Sequence, residues 1–475
     1  MRVLIVASES HPFIKTGGLG DVIGALPKEL KKLGIDVRVV IPNYKDINLN
    51  SKYKSKFLKS FNVEVSWRNQ YCGVLECEYE DVPYYLIDNE YYFKRDGLYG
   101  YYDDGERFAF FNRAIFKLIK EIGWKPDIIH CNDWQTGMIP VLNKVEYYYD
   151  EFYKGIKTII SIHNLLFRGT FDKEVLPELF GYDYELFNNG SLELYGGVSF
   201  LKGAINYSDL ITTVSKTYSK EIRTKEFGEK LDGLLRFKED ILKGIVNGID
   251  YDEYNPEKDD YIYKNYSVEN IELKVKNKLM LQRELGLKES EDIPMIGIVS
   301  RLTSQKGLDI FMYCLDELLQ KEVQLVILGT GDNEFEEGFK WFANKYPDKL
   351  SANILFDNKL AHKIYAASDL FLMPSLFEPC GLGQLIALRY GAIPIVRETG
   401  GLKDTVISYN EQTGMGTGFV FKDYNHLDLI NSINYALETY NNKNKFRKIV
   451  VQAMKSDNSW IKSAKEYKDM YEQLI

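Results

Sequence analysis

The chain predicts an α/β protein built from two doubly wound domains, and three features predict it. Short buried apolar runs alternate with helix-spaced segments along the sequence. Near each end such a run stops at a glycine-rich turn that opens a helix. Val3 to Ser8 leads into Lys15-Thr16-Gly17-Gly18-Leu19-Gly20-Asp21-Val22, and Asp369 to Met373 leads into Pro374-Ser375-Leu376-Phe377-Glu378-Pro379-Cys380-Gly381-Leu382-Gly383. The length of 475 residues exceeds one ordinary core and accommodates two large α/β domains.

In the first half, strand Val3 to Ser8 is followed by a helix from about Asp21 to Leu33, with Val22, Leu26, Leu30 and Leu33 at helical spacing. Gly34 stops it, and Val37 to Ile41 forms the next strand, closed by Pro42. That is a right-handed βαβ unit with parallel strands. Phe61 to Tyr102 reads as an irregular Tyr-rich stretch with alternating runs such as Val63-Glu64-Val65. An amphipathic helix spans Asp104 to Ile122, with Phe108, Phe111, Ile115, Leu118, Ile119 and Ile122 on one side. Asp127 to His130, Thr158 to Ile162 and Asp209 to Ser215 are further short strands.

A hinge is expected near Val246-Asn247-Gly248-Ile249-Asp250, dividing the chain into domains 1–246 and 247–457. The second domain's strands are Met295 to Ser300, Val323 to Leu328, Asn353 to Phe356, Asp369 to Met373 and Ile393 to Val396. Helices Gly307 to Gln320, Asn333 to Ala343, Asn358 to Ala367 and Gln384 to Tyr390 alternate with them. The last segment, Trp460 to Ile475, is helix-patterned and free to dock on either half. No low-complexity segment or short repeat is visible.

Composition narrows the function classes. A net charge of −9 argues against a broad grip on nucleic acid or anionic membrane. Cys72, Cys77, Cys131, Cys314 and Cys380 form no CxxC pair and do not cluster with the five histidines, which argues against a zinc site and for a reducing compartment. Met1 to Ala7 is too short for a signal h-region and reads as a buried strand, so a cytoplasmic protein is expected. No run reaches the ~18 apolar residues of a membrane span. The 35 Tyr and 26 Phe suit either core packing or stacking on sugar faces.

The candidate chemistry lies at strand ends. Lys15 with Gly17-Gly18, Arg301 and Lys306 around Ser300 to Gly307, Gly329-Thr330-Gly331, and Thr399-Gly400-Gly401-Leu402 combine glycine turns with cations. Glycines let backbone N–H groups approach an anion, and Arg and Lys supply charge-assisted bonds to phosphate. GxGxxG with a strand-end acid and GxxxxGK[ST] are both absent, against nicotinamide and P-loop readings. Residue by residue, alternatives stay open. Glu378 is a first-turn helix acid or a group aimed into a cleft. His163 is a satisfied core histidine or a site residue. Asp133 either caps the following helix or serves the site. Arg301 fits a structural ion pair, Tyr99 a surface tyrosine and Cys380 a packing residue, as readily as ligand contacts.

Five motifs in order, Lys15 to Val22, Ser161-Ile162-His163-Asn164, Ser300 to Gly307, Phe377 to Leu382, and Thr399 to Val406, together resemble bacterial glycogen synthase and plant starch synthase over essentially the whole chain. The resemblance implies a GT-B fold, two Rossmann-like domains facing across a deep cleft, with the C-terminal helix (about 458–475) packing back on the first. It implies retaining transfer of glucose from ADP-glucose to the non-reducing 4-OH of an α-1,4-glucan, with no metal or other cofactor and with no nucleic acid or membrane as partner. Oligomeric state is left unassigned.

By matching position, Glu378, His163, Lys306 and Arg301 are the catalytic set, with Glu378 on the glucose hydroxyls and the backbone carbonyl of His163 near the anomeric carbon. The donor is assigned to Lys15, Gly18, Asn247, Arg301, Lys306, Cys380, Gly381, Leu382, Thr399, Gly400 and Gly401, the glycines offering backbone N–H groups. Asp21, Tyr99 and Asp133 fall on the sugar and acceptor side. Retention by double displacement needs two carboxyl groups ~5 Å apart, and no convincing pair is visible. Same-face attack, with the leaving phosphate accepting the acceptor's proton, is therefore implied. The alternatives are a nucleotide-sugar epimerase or a maltose-1-phosphate-forming transferase. The chain departs from wider patterns at Ile386, where related enzymes often carry a second Glu, and at Lys230, where the family commonly has glycine.

Overall fold

A computed structural model describes residues 1–49, 53 and 55–475. These divide into two units: Met1–Asn247 together with Trp460–Ile475, and Gly248–Ser459.

The first unit holds, among the described residues, twelve strands: β1 (Arg2–Val6), β2 (Asp36–Pro42), β3 (Lys56–Val65), β4 (Arg68–Tyr79), β5 (Val82–Asp88), β6 (Ile128–Asn132), β7 (Lys157–Ile162), β8 (Thr170–Phe171), β9 (Glu193–Leu194), β10 (Gly197–Ser199), β11 (Leu210–Thr213) and β12 (Leu242–Gly244). Nine form one sheet in the order β12-β11-β7-β6-β1-β2-β5-β4-β3, and β8, β10 and β9 form a small one. From β12 to β5 every pairing is parallel. The central strands are buried along almost their whole length, as a sheet covered on both faces requires. β1 sits at the switch point: β2 pairs on one side, and the chain returns much later to pair β6 on the other.

Helix α1 (Gly18–Lys32) starts three residues earlier than the apolar spacing predicts and carries Pro27 in its interior. Proline removes the N–H that would bond the carbonyl of Ile23. The buried Tyr84 hydroxyl donates to that carbonyl instead, at 3.2 Å. Helix α2 (Asp104–Glu121) matches its prediction to one residue. The C-terminal helix, Trp460–Leu474, belongs to this unit: Tyr471 Oη bonds His130 Nδ1 at 2.7 Å, Ser463 Oγ donates to the Val246 carbonyl at 2.6 Å, and Lys468 Nζ donates to the Leu33 carbonyl at 3.1 Å.

The stretch expected to be irregular is a regular antiparallel meander, β3-β4-β5. Its β4–β5 turn is Glu80-Asp81, both at positive φ (50° and 62°). A two-residue hairpin turn with both residues left-handed normally advertises itself with Asn-Gly or Asp-Gly. Here two acids take that conformation, and the signal is missing from the sequence.

The second unit has one six-stranded parallel sheet of β13 (Met295–Val299), β14 (Gln324–Leu328), β15 (Leu350–Asn353), β16 (Leu370–Met373), β17 (Ile393–Arg397) and β18 (Phe419–Phe421), in the order β15-β14-β13-β16-β17-β18. Its switch point lies between β13 and β16. The helices that matter for the site are α3 (Leu308–Leu319), α4 (Asn358–Ala367), α5 (Gly383–Arg389) and α6 (Gly400–Thr405). One strand is misplaced in the sequence reading. Asn353 to Phe356 was expected, but β15 ends at Asn353, and Leu355 and Phe356 are exposed. The apolar triplet mimics an edge strand, whereas the pairing runs through the weakly apolar Leu350 to Asn353.

Lys230, which stands where glycine was expected, keeps glycine's conformation. Its φ is +68°, after Glu229 at +48°. Arg168 holds the turn, Nη1 donating to Glu229 Oε2 at 2.6 Å and to the Glu229 carbonyl at 3.1 Å. A left-handed non-glycine residue costs about 1–2 kcal/mol, against about 0.5–1 kcal/mol of extra chain entropy for glycine. Lys230→Gly is therefore expected to stabilise this unit by about 0.5–1 kcal/mol. A denaturation midpoint that falls would show that the lysine side chain itself holds the turn.

Candidate functional site

In both units the predicted residues collect where the strand order reverses, at the carboxyl ends of β1, β6 and β7 in the first and of β13 and β16 in the second, the place where open α/β sheets hold ligands.

In the first unit, β1 ends at Val6 and the chain passes Glu9 into the loop of Lys15 to Gly18. Lys15 Nζ pairs with Asp21 Oδ1 at 2.7 Å. Gly20 makes the pairing feasible, because a Cβ there would lie 2.4 Å from the Cβ of Lys15. Gly18 is exposed and opens α1. Tyr99 is not a free surface tyrosine: its hydroxyl bonds Ser8 Oγ at 2.7 Å, and burial pushes the phenol well above its ordinary range.

After β6 the chain turns through Asp133, at φ +56°. Asp133 makes no side-chain cap to the following 3₁₀ turn, so the capping reading is wrong. Its Oδ1 accepts the backbone N–H of His163 at 2.8 Å, joining the ends of adjacent strands β6 and β7. Burial raises its pKa to about 7, against the pull of the His163 and Asn164 N–H groups, and Glu9 adds to the rise. His163 Nε2 lies 2.9 Å from Asn132 Oδ1. Asn132 is oriented by its own amide, which donates to the carbonyls of Val6 at 3.1 Å and His130 at 3.2 Å. Oδ1 can only accept, so His163 carries its proton on Nε2. Burial lowers its pKa to about 4, so the ring is neutral at pH 7. Its Nδ1 is an enclosed acceptor with no donor among the described residues. Asn247, where the chain leaves this unit, is buried, and its Oδ1 also has no donor among the described residues.

In the second unit, Lys306 Nζ pairs with Glu378 Oε2 at 2.6 Å, and Ser375 Oγ donates to the same oxygen at 3.0 Å. Both partners are largely buried. Gly307, at φ +72°, brings Lys306 there, since a Cβ would lie 2.0 Å from the Pro374 carbonyl. Arg301 is exposed and makes no ion pair among the described residues, which removes the structural-pair reading. Cys380 and Thr399 are buried, Gly381 has φ +75°, and Leu382 precedes α5. Gly400 and Gly401 lie against the Glu378 turn, where Cβ atoms would meet the Glu378 carbonyl at 1.9 Å and the Cys380 carbonyl at 2.1 Å.

One donor assignment needs correction. Gly401 was expected to offer its N–H to an anion, but that N–H is spent on the carbonyls of Glu378 (3.1 Å) and Pro379 (3.2 Å). Its task is to let α6 stack on the Glu378 turn. Ile386 is a buried core side chain of α5, so no carboxylate is accommodated at the position where relatives carry a second Glu.

Sequence reasoning missed four residues that hold the site. Glu9 and Asn132 orient the first unit's loop and histidine. Ser375 shares Glu378 with Lys306. Gln384 is fully buried and donates to the carbonyls of Cys380 and Gly381, both at 3.0 Å, and to Thr405 Oγ1 at 3.2 Å, tying α5 to α6. An acid just after a buried strand was a usable signal for Glu9, while Gln384 gave none. Among the described residues no group of three or more His, Cys, Asp or Glu is placed to hold a metal ion.

Residues 2–237 match the family described as starch synthase catalytic domain, and residues 284–452 match glycosyl transferases group 1. A glycogen synthase from Clostridium perfringens (strain 13 / Type A) is 67% identical over 100% of this chain and 98% of its own length. The chain belongs to the glycogen and starch synthase family of glycosyltransferases. A Clostridioides difficile (strain 630) glycogen synthase is 52% identical, with both chains fully covered. Among solved structures, the catalytic domain of starch synthase IV from Arabidopsis thaliana, bound to ADP and acarbose, superposes with a TM-score of 0.94 at 32% identity over 99% of each chain. The fold class is accordingly GT-B. A sucrose-phosphate synthase from Thermosynechococcus elongatus shares the fold at 16% identity, with a TM-score of 0.62 over 100% of this chain and 98% of its own.

The Asn132–His163 bond makes a direct prediction. Histidine-ring NMR should show His163 neutral, with its proton on Nε2, from pH 5 upward. Asn132→Asp places a carboxylate beside the ring and should raise that pKa by about 1–3 units. A His163 resonance that already titrates near pH 6.5 in the unchanged protein would contradict the assignment.

Proposed function

We propose that this glycosyltransferase moves glucose from ADP-glucose to the non-reducing 4-OH of an α-1,4-glucan, with retention of configuration. The observation that carries the reading is the Lys306–Glu378 arrangement: a cation and a carboxylate from adjacent strand ends, pinned together in a buried turn at the switch point of the second unit. The full-length likeness to glycogen synthases supports a nucleotide-sugar donor and a glucan acceptor. The ADP bound to the starch synthase supports adenine as the base.

In this reading the bond from the anomeric carbon to the β-phosphate oxygen breaks and the bond to the acceptor's O4 forms on the same face. The departing ADP takes the hydroxyl proton. Negative charge grows on the diphosphate as the bond opens, and Lys306 and Arg301 stabilise it; Lys15 in the first unit has the same assignment. These fixed cations do the work that a divalent metal does elsewhere, so the mechanism calls for none. Lys306 has to exchange its carboxylate partner for phosphate, which frees Glu378 Oε2 for a glucose hydroxyl while Ser375 keeps the side chain aligned. His163 stays neutral and therefore adds no positive charge beside a developing oxocarbenium ion. Five buried cysteines, none of them in a disulfide, fit a reducing cytoplasm.

Labelled ADP-glucose and UDP-glucose, each offered with and without glycogen, test the reading. Incorporation from ADP-glucose that depends on glycogen supports it. Steady release of nucleotide or altered sugar without glucan would point to an epimerase, and transfer only to a phosphate-bearing acceptor would point to the maltose-1-phosphate reaction. Glu378→Ala should lower kcat by about 100-fold or more with little change in donor KM, because the contact strengthens in the transition state. An unchanged kcat would remove Glu378 from the mechanism.

A further inference from the structure

Glu9 lies just past β1, is almost wholly buried, and has no part in the assignments above. Its Oε2 accepts both the backbone N–H of Thr16 and the Thr16 hydroxyl, the latter at 3.1 Å, and the backbone N–H of Gly17 also favours the charged carboxylate. The next residue back, Lys15, is held differently, by its ammonium on Asp21. The loop thus has two anchors of unlike kind. The Asp21 pair competes with any phosphate that Lys15 takes, whereas the Glu9 bonds are to backbone and hydroxyl and are untouched by that competition.

We infer that Glu9 is a positioning residue for the loop of Lys15 to Gly18, holding the loop backbone in its carboxylate form while Lys15 changes partner. The inference rests on the proposed assignment of Lys15 to the donor diphosphate. Glu9 touches no reacting atom; it fixes where Lys15 starts from, and a loop displaced by even 1 Å loses much of a preorganised electrostatic contact.

The carboxylate form is not guaranteed at neutral pH. Burial raises the Glu9 pKa to about 7, the Thr16 and Gly17 bonds oppose the rise, and Asp21 on α1 adds to it. The other ionisable groups around it offer little relief. Asp133 after β6 feels Glu9 as a like charge, and so do the phenols of Tyr44 after β2 and Tyr99 before α2. The guanidinium of Arg107 on α2, which acts on Tyr44, is paired with Asp104. Lys15, six residues on, is itself paired with Asp21. A proton on Glu9 removes the charge that makes the backbone bonds strong, so the grip tightens as pH rises through about 7 and slackens below it.

Glu9→Gln keeps the shape and one acceptor but can never be charged. Two measurements on the full-length protein test the idea. The first is hydrogen–deuterium exchange of a peptide covering residues 10–20, corrected for intrinsic rates. Protection should increase through pH 7 in the unchanged protein and stay level in Glu9→Gln. The second is kcat/KM for ADP-glucose with glycogen from pH 6 to 9. The ratio of Glu9→Gln to the unchanged protein should be near one at pH 6 and fall about tenfold by pH 8.5, the worth of one charge-assisted hydrogen bond. If Glu9→Gln fails to fold, Thr16→Val, which deletes the hydroxyl half of the grip, should give curves of the same shape and smaller amplitude. Exchange that is level with pH in both proteins overturns the grip. Exchange that responds while the kinetic ratio stays flat overturns the positioning role. If the exchange behaves as expected but the unchanged protein transfers no glucose from ADP-glucose, the proposed function fails and the grip stands.

Discussion

Backbone meeting backbone without an intervening Cβ is the constraint on which the second unit's site depends. Three loops from three strand ends must share one small volume: the turn before α3, the Glu378 turn and the start of α6. Gly307 lets the first approach Pro374, and Gly400 and Gly401 let the last approach Glu378 and Cys380. At contacts of about 2 Å to a hypothetical Cβ no side chain is tolerated. Once the loops are stacked, Gln384 ties the Glu378 turn to α6 from the buried side, and Lys306 meets Glu378 from the turn before α3. The glycines here are packing residues first, and the chemistry follows from the packing.

The first unit solves a different electrostatic problem. It gathers Glu9 and Asp133 at the ends of β1 and β6, both largely shut from water and both held near a pKa of 7. It gathers His163 and His130 as well, which burial keeps uncharged. The histidines therefore add no positive charge there at neutral pH while the two carboxyls sit midway through their titration, whereas the second unit presents the exposed Arg301 and the paired Lys306.

Much of this was legible in the sequence, and the rest was hidden for physical reasons. The helix at 358–367 read correctly because Asp357 caps it, accepting from the Leu360 N–H, and its apolar side is regular. The parallel strands read correctly because they are apolar throughout. The meander β3-β4-β5 did not, since its tight turn uses Glu80-Asp81 in conformations that sequence assigns to Asn and Gly. Strand β15 misled because its neighbour Ile354-Leu355-Phe356 is apolar yet largely outside the core. In the site, Lys306 and Glu378 could be named from their motifs, but not that each would be the other's partner. The error at Gly401 has the same origin. A glycine pair announces room for close approach, and nothing in the sequence says whether an anion or a carbonyl fills it. The cap alternative for Asp133 arose because it precedes a helical turn, whereas its partner lies thirty residues on, at His163.

The chain leaves the first unit at Asn247 and re-enters it at Trp460, so the second unit is an insertion within the first. A ribosome releasing this protein in order completes the inserted unit before it has supplied the helix that the earlier one lacks. Until then His130 has no Tyr471 to bond, and the faces that will receive Trp460, Tyr467 and Tyr471 stay wet. The older portion of the nascent chain matures last. A product that stops before Trp460 is left with its first unit unfinished and its apolar faces open to proteolysis.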